Sequence, residues 1–181
     1  MSYLKNLVKF IFENLNFLLT SLIIVFFIRY FIIQPFFVVG ASMEPNFESG
    51  DYLIVDELSY FFRQPKRGEV VIFHPLIKPG DYYIKRIVGL PGEDIMIKDG
   101  KVYFKEDKDL EWNLLNENYG LSGYTNGDFS KNLAQNEYFV LGDHRSASSD
   151  SRYFGPVSKK SIIGRALLRG WPFNKITVFK Y

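Results

Sequence analysis

The sequence predicts a mainly β protein carried behind an N-terminal transmembrane helix, with a small inserted β-rich cap. Three observations predict it. An uncharged apolar stretch fills residues 14 to 28 and resumes after Arg29. Beyond Pro35 the chain changes to short segments rich in β-branched and aromatic residues, separated by Gly, Pro and Asp-Gly turns. Residues 105 to 136 are more polar and weakly periodic, with Asn126-Gly127 as a turn signal, and read as an insertion rather than core. The boundaries are 1 to 34 for the N-terminus and anchor, 35 to 104 and 137 to 181 for the β domain, and 105 to 136 for the cap.

The anchor comes first. Of the 19 residues from 15 to 33, 15 are apolar or aromatic, and a helical span needs about 20 residues. A cleaved leader has a shorter apolar core followed by small residues, whereas here the run continues through Phe31, Ile32, Ile33, Pro35, Phe36 and Phe37. The expectation is a retained span from about Phe12 to Ile33, with Arg29 near one end where its guanidinium reaches the headgroups. Lys5 and Lys9 precede the span and favour a cytoplasmic N-terminus, which places the body from about Gln34 onward on the far side.

Strands are expected at 52 to 55, 69 to 73, 82 to 88, 94 to 97, 101 to 104 and 138 to 141, with turns at Ser49-Gly50-Asp51, Pro79-Gly80-Asp81, Leu90-Pro91-Gly92-Glu93 and Asp99-Gly100. Strands so spaced imply a barrel or sandwich. The chain carries a formal charge of +2, and all of it lies in the first 34 residues, where Lys5, Lys9 and Arg29 face Glu13. The body is neutral, which argues against nucleic acid as a partner. The absence of cysteine excludes a thiolate zinc site and a cysteine nucleophile, and two histidines, His74 and His144, leave little for an imidazole metal site. No metal or cofactor is expected.

Three clusters carry candidate chemistry. Gly40-Ala41-Ser42-Met43-Glu44-Pro45 is either an ordinary surface loop or a turn presenting a serine just beyond the membrane. Lys85 lies between Tyr83, Ile84, Ile87 and Val88. It is either a lysine at a strand edge with its amine in water or a desolvated amine with a lowered pKa. The segment from Leu141 to Tyr153 holds four serines, two aspartates, two arginines and a histidine, and is either a solvated loop tied by side-chain turns or a scaffold for a catalytic group. A neutral lysine can take the proton of a serine, but the spacing of Ser42 and Lys85 does not by itself bring them together.

Ser42-Met43-Glu44-Pro45 with Gly50-Asp51-Tyr52-Leu53-Ile54-Val55 resembles the nucleophile box of bacterial type I signal peptidases, membrane-bound Ser/Lys proteases. Arg67 to Phe73 resembles the next box of that family, Tyr83 to Glu93 its lysine box, and Gly142-Asp143 through Asp150-Ser151-Arg152-Tyr153-Phe154-Gly155 its last box. The resemblance implies a signal-peptidase-like, repressor-protease-like β fold and a serine endopeptidase that removes signal peptides from exported preproteins. It implies Ser42 as nucleophile, Lys85 as general base and Ser148 as the serine that orients the lysine. Arg86 with Asp143, and Asp150 with Arg152, fall at supporting charge pairs. The oxyanion would be held by the Ser42 backbone N–H; some members add a serine hydroxyl where this chain has Gly40, and some carry asparagine where it has Ala147. Phe36, Val38, Met43, Tyr83 and Ile84 are the implied lining for the small residues that precede the cut. The implied partners are preprotein signal peptides and the lipid bilayer. The implied location is the bacterial plasma (inner) membrane, single-pass, with the catalytic domain on the outer, extracytoplasmic face.

Two other readings differ in class. A Ser-His-Asp hydrolase would use Ser42, His144 and an aspartate, and a membrane-anchored binding module of the envelope would need no nucleophile at all. Self-cleaving repressor-type proteases share the Ser/Lys chemistry but usually lack an anchor.

Overall fold

A computed structural model describes residues 2–31, 33–106, 110–117 and 124–181. The chain begins with one continuous helix, α1 (Ser2–Phe31). Its large apolar side chains from Phe10 to Val25, among them Phe17, Leu22, Ile23 and Ile24, are exposed and meet no protein core. Among the described residues, no helix is long and apolar enough to cross a membrane. The side chains of 26–33, on which Arg29 and the end of the expected span fall, lie outside the described residues, as do 107–109 and 118–123 of the expected cap.

The helix leads into β1 (Ile33–Phe37), which begins two residues before the expected start of the β domain at 35. There follow β2 (Tyr52–Asp56), a helical turn α2 (Ser59–Phe62), β3 (Val70–Phe73), β4 (Tyr83–Gly89), β5 (Asp94–Lys98), β6 (Lys101–Lys105), β7 (Asn113–Leu114) and β8 (Phe129–Asn132). The chain ends with β9 (Glu137–Leu141), the turn α3 (Ser151–Phe154), β10 (Val157–Ser158), β11 (Ile162–Trp171) and β12 (Thr177–Val178). The main sheet runs β1-β2-β11-β3-β4-β9-β10, with β12 on β11, and a smaller sheet runs β7-β6-β5-β8. All pairings are antiparallel. The smaller sheet therefore takes in β5 and β6 as well as strands from the 105 to 136 stretch.

The period of two in each strand explains how the sheets bury both faces. In β3, Val70 and Ile72 join Val38, Met43, Phe47, Leu53, Val55 and Ala166 in one cluster. Val71 and Phe73, on the other face, join Ile87, Tyr138, Val140 and Val157. Val88, Phe139 and Leu141 of the main sheet pack with Ile95, Ile97, Val102 and Leu133, so a third cluster joins the two sheets. A buried carboxylate holds the β2–β3 connection. Glu69, 1% exposed, accepts from the Tyr60 hydroxyl at 2.9 Å, the Lys66 N–H at 2.8 Å and the Arg63 guanidinium.

The six expected strands all form, with ends within a residue or so of those read from the sequence. The central β11 was not expected. Its register slips against β2 between Ala166 and Leu168 and between Arg169 and Trp171, and against β3 between Ile162 and Gly164. Bulges of this kind put two residues opposite one, so the burial of Ile-Ile-Gly-Arg-Ala-Leu-Leu-Arg-Gly-Trp does not alternate and the segment carries no period of two.

Candidate active site

Ser42 sits in the loop that follows β1. The neck of that loop is closed by Val38 N–H donating to the Asp51 carbonyl and Gly50 N–H to the Val38 carbonyl, both at 2.9 Å. Met43 and Phe47 are each 1% exposed and plug the loop into the core. Gly40, at φ +94°, makes the turn in a region that side-chain-bearing residues rarely occupy. The Ser42 side chain is left half-buried, facing β4.

On β4, Lys85 is 4% exposed. Its Nζ lies 2.8 Å from Ser42 Oγ and donates at 2.8 Å to the Ile84 carbonyl. The Tyr83 ring lies 5.6 Å from the amine. Burial pulls the Lys85 pKa down to about 8, against the opposing pull of the Asp150 and Asp143 carboxylates. Desolvation disfavours the charged amine, and distant carboxylates only partly restore it. The 43 positions between Ser42 and Lys85 are thus closed by the sheet. β3 pairs Val71 with Lys85 and Ile72 with Ile84, while the β1–β2–β11 ribbon brings Ser42 over that edge.

The Gly142–Arg152 segment lies beneath both. His144 N–H donates to the Ser42 carbonyl at 3.1 Å. Asp143 receives Arg86 through two bonds, at 2.8 Å and 2.6 Å, and Asn46 Nδ2 at 2.8 Å. Asp150 receives Arg152 Nε at 2.8 Å and Nη2 at 2.9 Å, together with the Gly142 N–H at 3.1 Å. Both charge pairs are almost wholly buried. Removing one partner of such a pair strands a buried charge and costs about 3–5 kcal/mol.

Ser148 departs from its expected contact. It is 7% exposed, but its Oγ has no hydrogen-bond partner among the described residues, and the amine of Lys85 is directed to Ser42 and Ile84 instead. That Oγ lies close against Gly142: a methyl built on that glycine would lie 2.2 Å from Ser148 Oγ and 2.5 Å from the Ser42 carbonyl oxygen. His144 does not complete a triad. Its Nδ1 lies 3.2 Å from the Ala41 carbonyl, and the neighbouring Asp143 carboxylate is turned to Arg86 and Asn46.

A cleft of about 870 Å³ opens beside Ser42 and Lys85. Its walls are the consecutive residues 34–39 and 80–85, with Leu53 and Ile72 between them and Ser149 at the Ser42 end. Phe36, Val38, Tyr83 and Ile84 line it; Met43 does not, because it is buried in the core beside Val38 and Phe47. Among the described residues, β1 is paired only with β2, and residues 83–85 of β4 only with β3. Two strand edges therefore border the cleft.

Two further residues serve the site: Asn46, which carries no signal in the sequence, and Arg145, which the sequence marks only as one of the two arginines of the Leu141–Tyr153 segment. Asn46 links the serine loop to Asp143. Arg145, 5% exposed, donates to the Gly142 carbonyl at 3.1 Å, to Thr125 Oγ1 at 2.7 Å and to the Glu117 carboxylate, joining the smaller sheet's loops to the segment beneath the serine. These are single polar residues in loops, and only the folded chain shows what they meet.

Residues 11–171 match the family model described as signal peptidase, peptidase S26. The chain is 35% identical over 166 residues to Probable signal peptidase I-2 of Synechocystis sp., covering 88% of this chain and 72% of that protein. It is 32% identical over 176 residues to signal peptidase IB of Staphylococcus aureus, covering 89% and 88%. A crystal structure of a signal peptidase I from Enterococcus faecalis aligns with a TM-score of 0.47 at 29% identity, over 57% of this chain and 97% of that one.

Proposed function

Because the chain belongs to the signal peptidase family, peptidase S26, we propose that it is a membrane-bound serine endopeptidase that cleaves N-terminal signal peptides from exported preproteins, with Ser42 as nucleophile and Lys85 as general base. The observation that carries the assignment of roles is the 2.8 Å approach of a buried amine to a serine hydroxyl. A neutral Lys85 accepts the Ser42 proton over that distance while its own N–H stays on the Ile84 carbonyl. The freed oxygen attacks the scissile carbonyl. The Ser42 N–H, which has no acceptor among the described residues, supplies a donor to the oxyanion. The lysinium then protonates the leaving amine, and the acyl-enzyme is hydrolysed by a water that gives its proton to Lys85, neutral once more. Arg86–Asp143 and Arg152–Asp150 act by holding the backbone on either side, and Ser148 by filling the space beneath it.

The cleft walls suit an extended peptide laid between two strand edges, with Val38 and Ile84 near the serine leaving room only for small side chains. In this reading the single membrane anchor is the span from about Phe12 to Ile33, whose later part, 26–33, has its side chains outside the described residues, and the apolar side chains exposed along Phe10–Val25 are its lipid-facing part. The N-terminus then lies in the cytoplasm of a bacterial cell, and the β body, residues 35 to 104 and 137 to 181 with the 105 to 136 cap, lies outside the plasma membrane. Exposed Phe37, Phe61 and Phe62 suit the headgroup layer beside the anchor.

The test is incubation of the purified full-length protein in detergent with a preprotein, wild type against Ser42→Ala. The wild type is expected to release the mature protein with a new N-terminus, and Ser42→Ala to lose cleavage by a factor on the order of 10⁴ or more. Cleavage at the wild-type rate by Ser42→Ala would overturn the assignment. The pH profile tests the base. Since only the neutral amine accepts a proton, and burial sets the Lys85 pKa at about 8, kcat/KM should rise tenfold per pH unit below about 8 and level off above it. A profile flat from pH 6 to 9 would exclude Lys85 as base.

A further inference from the structure

We propose that His144 is a positioning residue for the oxyanion donor: its imidazole holds the Ala41–Ser42 peptide so that the Ser42 N–H keeps its aim at the developing charge. The proposal rests on the signal-peptidase reading above and concerns the same site. Gly40 and Ala41, just before the serine, have no polar side chain to share the task of holding an oxyanion. Stabilisation of this kind works only when the donor is fixed in place before the charge appears, so what fixes this N–H matters to the rate.

His144 holds the serine from both sides. Its backbone N–H donates to the Ser42 carbonyl at 3.1 Å, and its ring Nδ1 lies 3.2 Å from the Ala41 carbonyl oxygen. A carbonyl oxygen only accepts, so Nδ1 carries the ring proton and donates. The two carbonyls belong to the peptide units immediately before and after the serine. In a trans peptide the C=O and N–H point in opposite directions, and the Ala41–Ser42 peptide is trans. Holding the Ala41 carbonyl on His144 therefore turns the Ser42 N–H away from the Gly142–Arg152 segment. No acceptor among the described residues takes that N–H, and Ser42 lines the cleft whereas Ala41 does not. A hydrogen bond to the carbonyl also polarises the amide and strengthens its N–H as a donor. The Ala41 carbonyl accepts the Glu44 N–H as well, at 3.2 Å, but that bond is a turn within the serine's own loop. Among the described residues, His144 is what ties this carbonyl to the segment anchored by Asp143 and Asp150. The histidine is itself held there, its carbonyl accepting the Ala147 N–H at 3.0 Å.

The test compares full-length wild type, His144→Leu and His144→Asn in detergent on one preprotein. Leucine and asparagine have nearly the same shape, and asparagine Nδ2 stands as many bonds from the backbone as imidazole Nδ1, so the two variants differ chiefly in the donor. His144→Leu should lower kcat about tenfold, the worth of one hydrogen bond and less than the loss of an oxyanion donor outright. KM should stay within about twofold, since the bond acts on the transition state. The midpoint of the pH profile should stay at about 8, because the Lys85–Ser42 pair is untouched. His144→Asn should keep kcat within about threefold of wild type, and His144→Ala, which removes the ring without adding apolar bulk, should match His144→Leu. Wild-type kcat in His144→Leu, equal losses in the leucine and asparagine variants, a loss falling in KM, or a displaced midpoint would each overturn the His144 assignment alone. Complete inactivity of all three variants, equal to that of Ser42→Ala, would make His144 the base and overturn the Lys85 reading and this proposal with it.

Discussion

Lys85→Met is expected to abolish cleavage, by a factor on the order of 10⁴ or more, while making the folded protein more stable at neutral pH. The activity follows from the site: without the amine, nothing within reach of Ser42 Oγ takes its proton, because the nearest imidazole, His144, faces the Ala41 carbonyl. The stability follows from the same burial that makes Lys85 a base. Its pKa is about 8 in the folded chain against an ordinary value of 10.5, so the unfolded chain binds the proton more tightly. Between those two values the folded protein is neutral at Lys85 and the unfolded one still protonated, so stability rises with pH there, by about 3 kcal/mol in all. Below pH 8 both states are charged and the wild type bears the full cost of a buried ammonium. Methionine, of similar length, removes that cost. Denaturant unfolding of full-length wild type and Lys85→Met should therefore show the variant ahead at pH 7 and the gap closing as pH approaches 10.5. A variant less stable than wild type at pH 7 would mean that the bonds to Ser42 and Ile84 outweigh desolvation.

How far the sequence shows this arrangement depends on the range of the interaction. Strands such as Val70–Phe73 and Asp94–Lys98 are legible because their β-branched residues and flanking turns act locally. Ser42 and Lys85 are legible only through motif resemblance, since their meeting depends on the order of strands in the main sheet, and β11, which holds that order together, is hidden by its bulges. The charge pairs Arg86–Asp143 and Arg152–Asp150 are found where the resemblance puts them. The resemblance implies Met43 as lining, but in a turn successive side chains diverge, and its own leads into the core. Ser148 was given a bond to the lysine amine, which the geometry directs elsewhere. What a residue must leave empty is harder still to read, and Gly142 is the case that matters.

Gly142→Ala is expected to lower kcat by a factor on the order of 10²–10³ with little change in KM. The added methyl would stand 2.2 Å from Ser148 Oγ, 2.5 Å from Ser148 Cβ and 2.5 Å from the Ser42 carbonyl oxygen, all far inside van der Waals contact. The glycine backbone has little room to retreat, because its N–H is bonded to Asp150 and its carbonyl to Arg145. The strain must then pass to the serine loop, and that loop is held to the same segment by His144 N–H on the Ser42 carbonyl. A shift of the Ser42 backbone by about 1 Å is enough to cost roughly 10²-fold in a site whose chemistry depends on one short contact. Overpacking also costs about 1–3 kcal/mol of stability, so the thermal midpoint should fall but the protein remain folded at 25 °C. Gly142 does not line the cleft between 34–39 and 80–85, and the three atoms nearest the added methyl belong to Ser148 and Ser42, so binding should survive. Ser148→Ala provides the comparison, since it removes a hydroxyl without pushing on Ser42: if the glycine acts by keeping the serine in place, Gly142→Ala should be the more damaging of the two in kcat. Activity within threefold of wild type would show instead that the loop yields and that the bare face of Gly142 is not what fixes the 2.8 Å approach of Ser42 to Lys85.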